Sequence, residues 1–224
     1  MKRDHSPVLP GDGATDYARY MRTDTLLDLQ RRPEEMIHRD ELLFQVVHQS
    51  TELWLKLAAA ELTEAVARVH AGEPAAAEPL LARAALGVRL VTDQLEMFRY
   101  LSPADFEAMQ PALGKGSGAE SPGWRQVQAA SRQLGRAFTD HLAAHGIALA
   151  TLRATDPTNP VHLLAEAMVE WDERVSLWRA RHYQVALRIG GHAATGAEAT
   201  MLAKLVGHRF FPELWQARVK SVQG

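Results

Sequence analysis

Apolar residues recur at helical spacing along almost the whole chain, and sustained alternation of the strand kind is missing. The pattern predicts a short helix at about 15–30 and a long one at about 38–71, the latter stopped by Gly72-Glu73-Pro74. A third helix spans about 75–100, with Leu80, Leu81, Leu86, Leu90, Val91, Leu95 and Phe98 as its stripe. Ser102-Pro103-Ala104-Asp105 has the form of an N-cap followed by Pro at the first helical position, and opens a helix at about 103–112. Helix resumes at about 124–153 and is broken by Asp156-Pro157-Thr158-Asn159-Pro160. A long helix follows at about 161–190, ended by Gly190-Gly191, and then a shorter one at about 198–207. Phe210-Phe211-Pro212-Glu213-Leu214-Trp215 begins a terminal element. Long helices joined by short breaks predict an all-α fold, an antiparallel helical bundle. Met1 to Gly13 is charged and rich in Pro and Gly, so residues 1–13 are expected to be a disordered arm and 14–224 a single helical domain.

Composition narrows the chemistry. The formal net charge is -2, which gives no reason to expect a nucleic acid or an anionic membrane as partner. There are no cysteines, so disulfides, thiolate catalysis, iron–sulfur clusters and cysteine-ligated haem or zinc are excluded. The 10 histidines leave histidine-held metals open. No apolar run approaches the roughly 20 residues that span a bilayer, and the N-terminus lacks the apolar core of a signal peptide. A cytoplasmic protein is expected.

Four stretches can carry chemistry, and each also has a plain packing interpretation. In the helix from Asp40 to Leu57, Phe44 and His48 stand four residues apart and share a face, with Glu52 one turn further on. A ring beside an imidazole on a core-facing stripe is a reaction pocket or a satisfied structural histidine. Leu177-Trp178-Arg179-Ala180-Arg181-His182-Tyr183 sets His182 among arginines and aromatics, which suits a metal ligand or a solvated basic face. His141 and His145 share a helix face and can chelate, yet His145-Gly146 also has the form of a helix end. Tyr17, Tyr20 and Met21 fall on one face, for packing or for closing a neighbour's pocket. The segment Gly114 to Gly123 is a Gly/Ser-rich loop whose backbone can approach a ligand or simply connect two helices. It is no phosphate-binding P-loop, since no Gly-Lys-Ser/Thr ends it.

Taken together, these fragments resemble the tryptophan 2,3-dioxygenase family of haem enzymes. The resemblance is carried by Tyr20-Met21-Arg22 with Leu26-Leu27, by Asp40-Glu41 through Leu57, by Leu101-Ser102-Pro103, and by Gly116-Ser117-Gly118 with Ser121. It continues through Leu177-Trp178-Arg179-Ala180-Arg181-His182, Arg188-Ile189-Gly190, Thr195-Gly196 and Phe210 to Trp215, in the family's order. The resemblance implies a bundle enclosing a b-type haem whose iron is held on the proximal side by His182. It implies His48 as the distal, catalytic histidine and Phe44 as the residue packing on a bound aromatic ring. Ser117 and Thr195 would lie in loops over the substrate. Tyr17, Tyr20 and Met21 would reach into a neighbouring subunit, so a homotetramer or a dimer is expected.

Two positions depart from the family. A tyrosine and, four residues later, an arginine ordinarily follow the Leu-Ser/Thr-Pro turn, and here they are Phe106 and Gln110. That arginine clamps the carboxylate of the free amino acid, and losing a charge-assisted pair costs about 1.5–3 kcal/mol. The chain is also shorter than typical members, mainly between the glycine loop and His182. The expected activity is a haem-dependent oxidoreductase inserting oxygen from O2 or peroxide into an indole, tryptophan or tryptophan-derived. The alternatives are a haem-dependent monooxygenase of a modified aromatic amino acid in natural-product biosynthesis, a non-catalytic haem sensor or carrier, and a bundle binding non-haem metal through His141, His145 and another histidine.

Overall fold

The structure, a computed structural model, describes residues 6–154, 156–190 and 197–220. Two short helices, α1 (Asp16–Met21) and α2 (Thr23–Leu27), precede the body. The body is built from α3 (Glu41–His70), α4 (Pro74–Asp93), α5 (Pro103–Leu113), α6 (Pro122–Ala144) and α7 (Pro160–Gly190). The helices α8 (Ala197–Val206) and α9 (Pro212–Lys220) close the chain. No strand occurs among the described residues, and no helix there is long and apolar enough to cross a membrane. The fold is all-α, as the hydrophobic pattern predicts.

Three elements differ from the pattern, each for a local reason. The expected first helix is split where Arg22 takes a left-handed backbone, φ 52° and ψ 41°. The third ends as α-helix at Asp93 and continues to Tyr100 as a tighter 3-10 stretch. The helix expected to 153 stops at Ala144, where His145 caps it and Gly146 adopts φ 63°. Residues 149–154 then form a separate 3-10 turn. The start signal read at Ser102 holds, since Ser102 and Asp105 cap α5 reciprocally with Pro103 in the first turn; α6 begins two residues earlier than expected, at Pro122 with Ser121 as its cap.

In the core, α3 packs on α4 and α6, and α4 packs on α7. Leu55, Leu62, Leu81, Leu134, Leu164 and Trp171 are fully buried in the main cluster. Burying one such side chain contributes about 1.5–3 kcal/mol. Large residues bridge α6 and α7: Trp171 donates its indole N–H to Ser131 at 3.0 Å, and Trp124 meets Trp178 at a tilt, ring centroids 4.1 Å apart. At the crossing of α3 and α6, Gly123 is required by space. A Cβ there would lie 2.7 Å from Leu55 Cβ and 2.6 Å from a Glu52 carboxylate oxygen. Glu52 in turn accepts from the Gly123 N–H at 2.8 Å and from the Ser121 hydroxyl. The glycine loop thus serves to let α6 dock against α3.

The N-terminal segment is tied down by side chains that look unremarkable in sequence. Asp16 accepts from the Val8 and Leu9 N–H groups, and Arg19 donates to the carbonyls of Gly13 and Leu9. Buried Glu41 accepts from the backbone N–H groups of Ile37 (2.7 Å) and His38 (3.1 Å) and from Arg31 (3.0 Å). Burial alone would raise the Glu41 pKa, but these donors together outweigh it and hold the carboxyl below the ordinary value. A carboxylate with a lowered folded pKa contributes stability that is complete above its unfolded pKa, about 4.3, and is lost as pH falls through the folded value. Glu41→Gln should therefore be less stable than the parent at neutral pH. The gap should narrow below about pH 4 in denaturation series run at each pH.

Candidate functional site

A second apolar cluster lies apart from the main one. Its buried members include Val47 of α3, Leu95 and Phe98 of the 3-10 stretch, Met109 of α5, and Val185 and Ile189 of α7. Gln94 pins the 3-10 stretch to α3, donating to Thr51 and to the Val47 carbonyl and accepting from Ser50. That anchor fixes Phe98, which makes the floor of the site.

Phe44 and His48 stack with ring centroids 4.1 Å apart. Phe98 approaches both, at 5.8 Å from Phe44 and 5.9 Å from His48, and Phe106 of α5 lies 6.1 Å from Phe44. The His48 Nδ1 sits 2.8 Å from the Phe44 carbonyl. A carbonyl only accepts, so Nδ1 carries the proton and Nε2 keeps a lone pair. Burial lowers the His48 pKa, and the Phe44 hydrogen bond and the Glu52 charge only partly offset it. The same ring retains accessible surface. These facts together describe a neutral imidazole stacked on an aromatic cluster, with part of its ring open to solvent.

His182 comes to the same region from α7. Burial, reinforced by the charge of His48, pushes its pKa down to about 4. His48 therefore lies within electrostatic reach of His182. Trp178, one turn earlier, stacks flat on His182 at 4.9 Å and 9°. The Trp178 Nε1 and the His182 Nδ1 are both buried and have no hydrogen-bond partner. Unpaired buried donors are rare and ask for an explanation.

These observations fit a haem. The iron needs a neutral imidazole nitrogen, and His182 is neutral at any physiological pH. The macrocycle needs apolar and aromatic walls, which Phe44, Phe98, Val185 and Ile189 supply. An orphaned ring nitrogen on the metal-side histidine is where a haem protein ordinarily places an outer acceptor.

The other sequence-derived candidates fall in different places. Phe106 belongs to the cluster, whereas Gln110, one turn on, is exposed. Ser117 caps a short 3-10 turn and is exposed. Tyr17, Tyr20 and Met21 are 66%, 78% and 51% exposed on α1 and do not join Phe44 within one chain. Thr195 lies outside the described residues. His141 and His145 have ring centroids 4.3 Å apart, but no group of three or more potential metal ligands occurs among the described residues. The pair sits at the end of α6, in the helix-end role. Arg179 is buried rather than solvated, donating to the carbonyls of Leu205 and His208. Arg181 pairs with Glu96.

Sequence reasoning missed Phe98 as a site residue, because nothing in its stripe separates it from the other core positions. It also missed Asp172. This buried carboxylate accepts from the N–H groups of Phe210 (2.7 Å) and Phe211 (3.0 Å) and from the Trp215 indole (3.1 Å). The available signal was a charged residue sharing a helix face with Met168, Val169 and Val175.

The tryptophan 2,3-dioxygenase family profile matches residues 4–136. The tryptophan 2,3-dioxygenase of Xanthomonas campestris pv. campestris (strain B100) is 29% identical over 272 aligned positions, covering 96% of this chain and 91% of that protein. The tryptophan 2,3-dioxygenase of Xanthomonas oryzae pv. oryzae (strain PXO99A) is likewise 29% identical, and that of Myxococcus xanthus (strain DK1622) is 27% identical over 98% of this chain and 94% of its own length. An alignment of 272 positions exceeds the 224 residues here, so the relative carries insertions that this chain lacks. The all-α bundle with its two-histidine site and the matched profile agree. The chain belongs to the tryptophan 2,3-dioxygenase family.

Proposed function

We propose that this protein is a haem-dependent oxygenase that inserts oxygen from O2 or peroxide into an indole or related aromatic substrate. One observation supports the reading: His48 and His182, neutral imidazoles on different helices, lie close enough to interact and each contacts an aromatic ring, Phe44 and Trp178 respectively. His182 would hold a b-type haem, which supplies the oxygen chemistry when bound. The chain supplies binding and orientation. Phe44 and Phe98 offer ring faces to a flat aromatic substrate. His48, whose Nδ1 proton is committed to the Phe44 carbonyl, presents Nε2 as an acceptor for an indole N–H. Phe106 and the second apolar cluster behind it exclude water.

The carboxylate end distinguishes this chain from an enzyme for the free amino acid. Gln110 offers two N–H donors but no charge, and Phe106 has no hydroxyl. A carboxylate held beside Gln110 would lack the charge-assisted partner that an arginine there would give. The preferred substrate is therefore an indole whose carboxylate is absent, esterified or amidated. In turnover assays tryptamine or a side-chain-modified indole should outperform L-tryptophan. Gln110→Arg should raise kcat/KM for L-tryptophan relative to tryptamine by about 10- to 100-fold. An unmodified protein that prefers L-tryptophan would show this assignment to be wrong.

Assembly completes the site. Val8, Tyr17, Tyr20 and Leu27 form an apolar surface that is 87%, 66%, 78% and 75% exposed in one chain, and a second copy would cover it. A homotetramer, or a dimer, should be seen by light scattering at micromolar concentration, and a monomer there contradicts it.

A further inference from the structure

Trp124, Trp178 and His182 form a continuous row of ring contacts, tilted by 39° between the two indoles and nearly parallel between Trp178 and His182. The Trp124 and Trp178 ring centroids are 4.1 Å apart, and Trp178 lies nearly parallel to His182 at 4.9 Å. Trp178 contacts both apolar clusters, so it is the aromatic link between the main core and the site. Trp124 sits in the first turn of α6 and is only partly buried. The row thus runs from a position near solvent to the histidine assigned to the haem.

The indole N–H groups differ in a way that matters for redox chemistry. Trp171 donates to Ser131 and Trp215 donates to Asp172. Trp178 donates to nothing and is buried. Removing one electron from an indole makes its N–H strongly acidic. Where an acceptor stands by, the proton leaves and the radical is trapped there. At Trp178 no acceptor is present among the described residues, so the oxidised ring keeps its proton and remains a strong oxidant. Its neighbour Trp124 is the ready electron donor, and its partial exposure lets water take the proton.

We infer that Trp124 and Trp178 are an electron relay between the protein surface and the haem site, serving to discharge oxidising equivalents when peroxide reacts there without an indole substrate. The inference rests on the haem-binding reading above. One hydrogen peroxide needs two electrons and two protons to become two waters. The electrons pass singly: Trp178 gives one to the haem site, Trp124 gives one to Trp178, and Trp124 releases its Nε1 proton to solvent. A surface reductant of the ascorbate class then returns an electron to Trp124, which regains a proton. After two such passages peroxide has become water, the reductant has lost two electrons, and both tryptophans are restored. A substrate-free oxygenase gains protection of His48, Phe44 and Phe98 from oxidation.

The test uses the full chain loaded with haem in the ferric form, mixed with hydrogen peroxide without indole and frozen within milliseconds. Electron paramagnetic resonance should show an indolyl radical, identified by its change on incorporating ring-deuterated tryptophan. Trp124→Phe should abolish the persistent indolyl signal and slow ascorbate oxidation by peroxide. Trp178→Phe should do the same. Tyr183→Phe, beside His182, should leave both unchanged. Trp124 does not touch His182, so Trp124→Phe decides the matter if Trp178→Phe disturbs haem uptake. A tyrosyl signal, or an indolyl signal and ascorbate oxidation unaffected by Trp124→Phe, overturns the relay. Normal haem uptake with no indolyl radical overturns the relay alone, whereas failure of the parent chain to take up haem overturns the proposed function with it.

Discussion

His182→Ala should give a folded protein that no longer holds haem tightly. The side chain projects from the last third of α7, and alanine is the best helix former, so the helix should survive. The ligand itself is lost. Loss of an outer partner of a metal-bound histidine costs 10- to 100-fold in affinity, so loss of the histidine should exceed about 100-fold. No cysteine exists to substitute for it. His48 is the other imidazole in the site, but its Nδ1 is held by the Phe44 carbonyl and its ring is stacked on Phe44. His48→Ala should accordingly keep haem at full stoichiometry while changing substrate affinity. Haem titration followed by optical spectra of oxidised and reduced forms separates the two variants. Unchanged stoichiometry and spectrum in His182→Ala would remove the assignment.

The second large effect concerns stability rather than chemistry. Asp172→Ala should destabilise the protein by about 4 kcal/mol, because it strips the acceptor from the Phe210, Phe211 and Trp215 donors at once, each worth about 1–3 kcal/mol when left unpaired and buried. Burial raises the Asp172 pKa, and the N–H donors and nearby Arg209 only partly oppose it. The carboxylate also works with its neighbours. Ser176 donates to the Val206 carbonyl and Arg179 to those of Leu205 and His208, so one face of α7 holds the whole connection from α8 to α9. Phe211 then wedges against Gly135 of α6, where a Cβ would stand 3.3 Å from its ring. Such a loss is a large part of the 5–15 kcal/mol that stabilises an ordinary domain. Urea unfolding should show a lower midpoint, and Asp172→Asn, which keeps one acceptor oxygen, should fall between the two. Equal stability of parent and Asp172→Ala would refute this role.

The helices were legible because their apolar periods, proline starts and glycine stops are local signals. Ser102-Pro103 opens α5 where the capping chemistry says it should. The Phe44/His48 pair was legible for the same reason, since residues four apart on a helix must meet. Contacts between distant segments were not legible. Phe98 reaches His48 across 50 residues of sequence only because Gln94 ties its turn to α3. Nothing local marks Arg179 as buried in a stretch of alternating arginines, and its partners are carbonyls that any sequence would provide. The need for glycine at position 123 was not legible either, because the space there is set by Leu55 and Glu52 on another helix.

The most direct measurement is the mass of the product that the haem-loaded protein forms from a panel of indoles, supplied with isotopically heavy O2 and, in parallel, with isotopically heavy peroxide. The account predicts heavy oxygen in the indole-derived product from one of these oxidants, with a carboxylate-modified indole as the best substrate. A protein that binds haem through His182 yet places no labelled oxygen in any indole contradicts it.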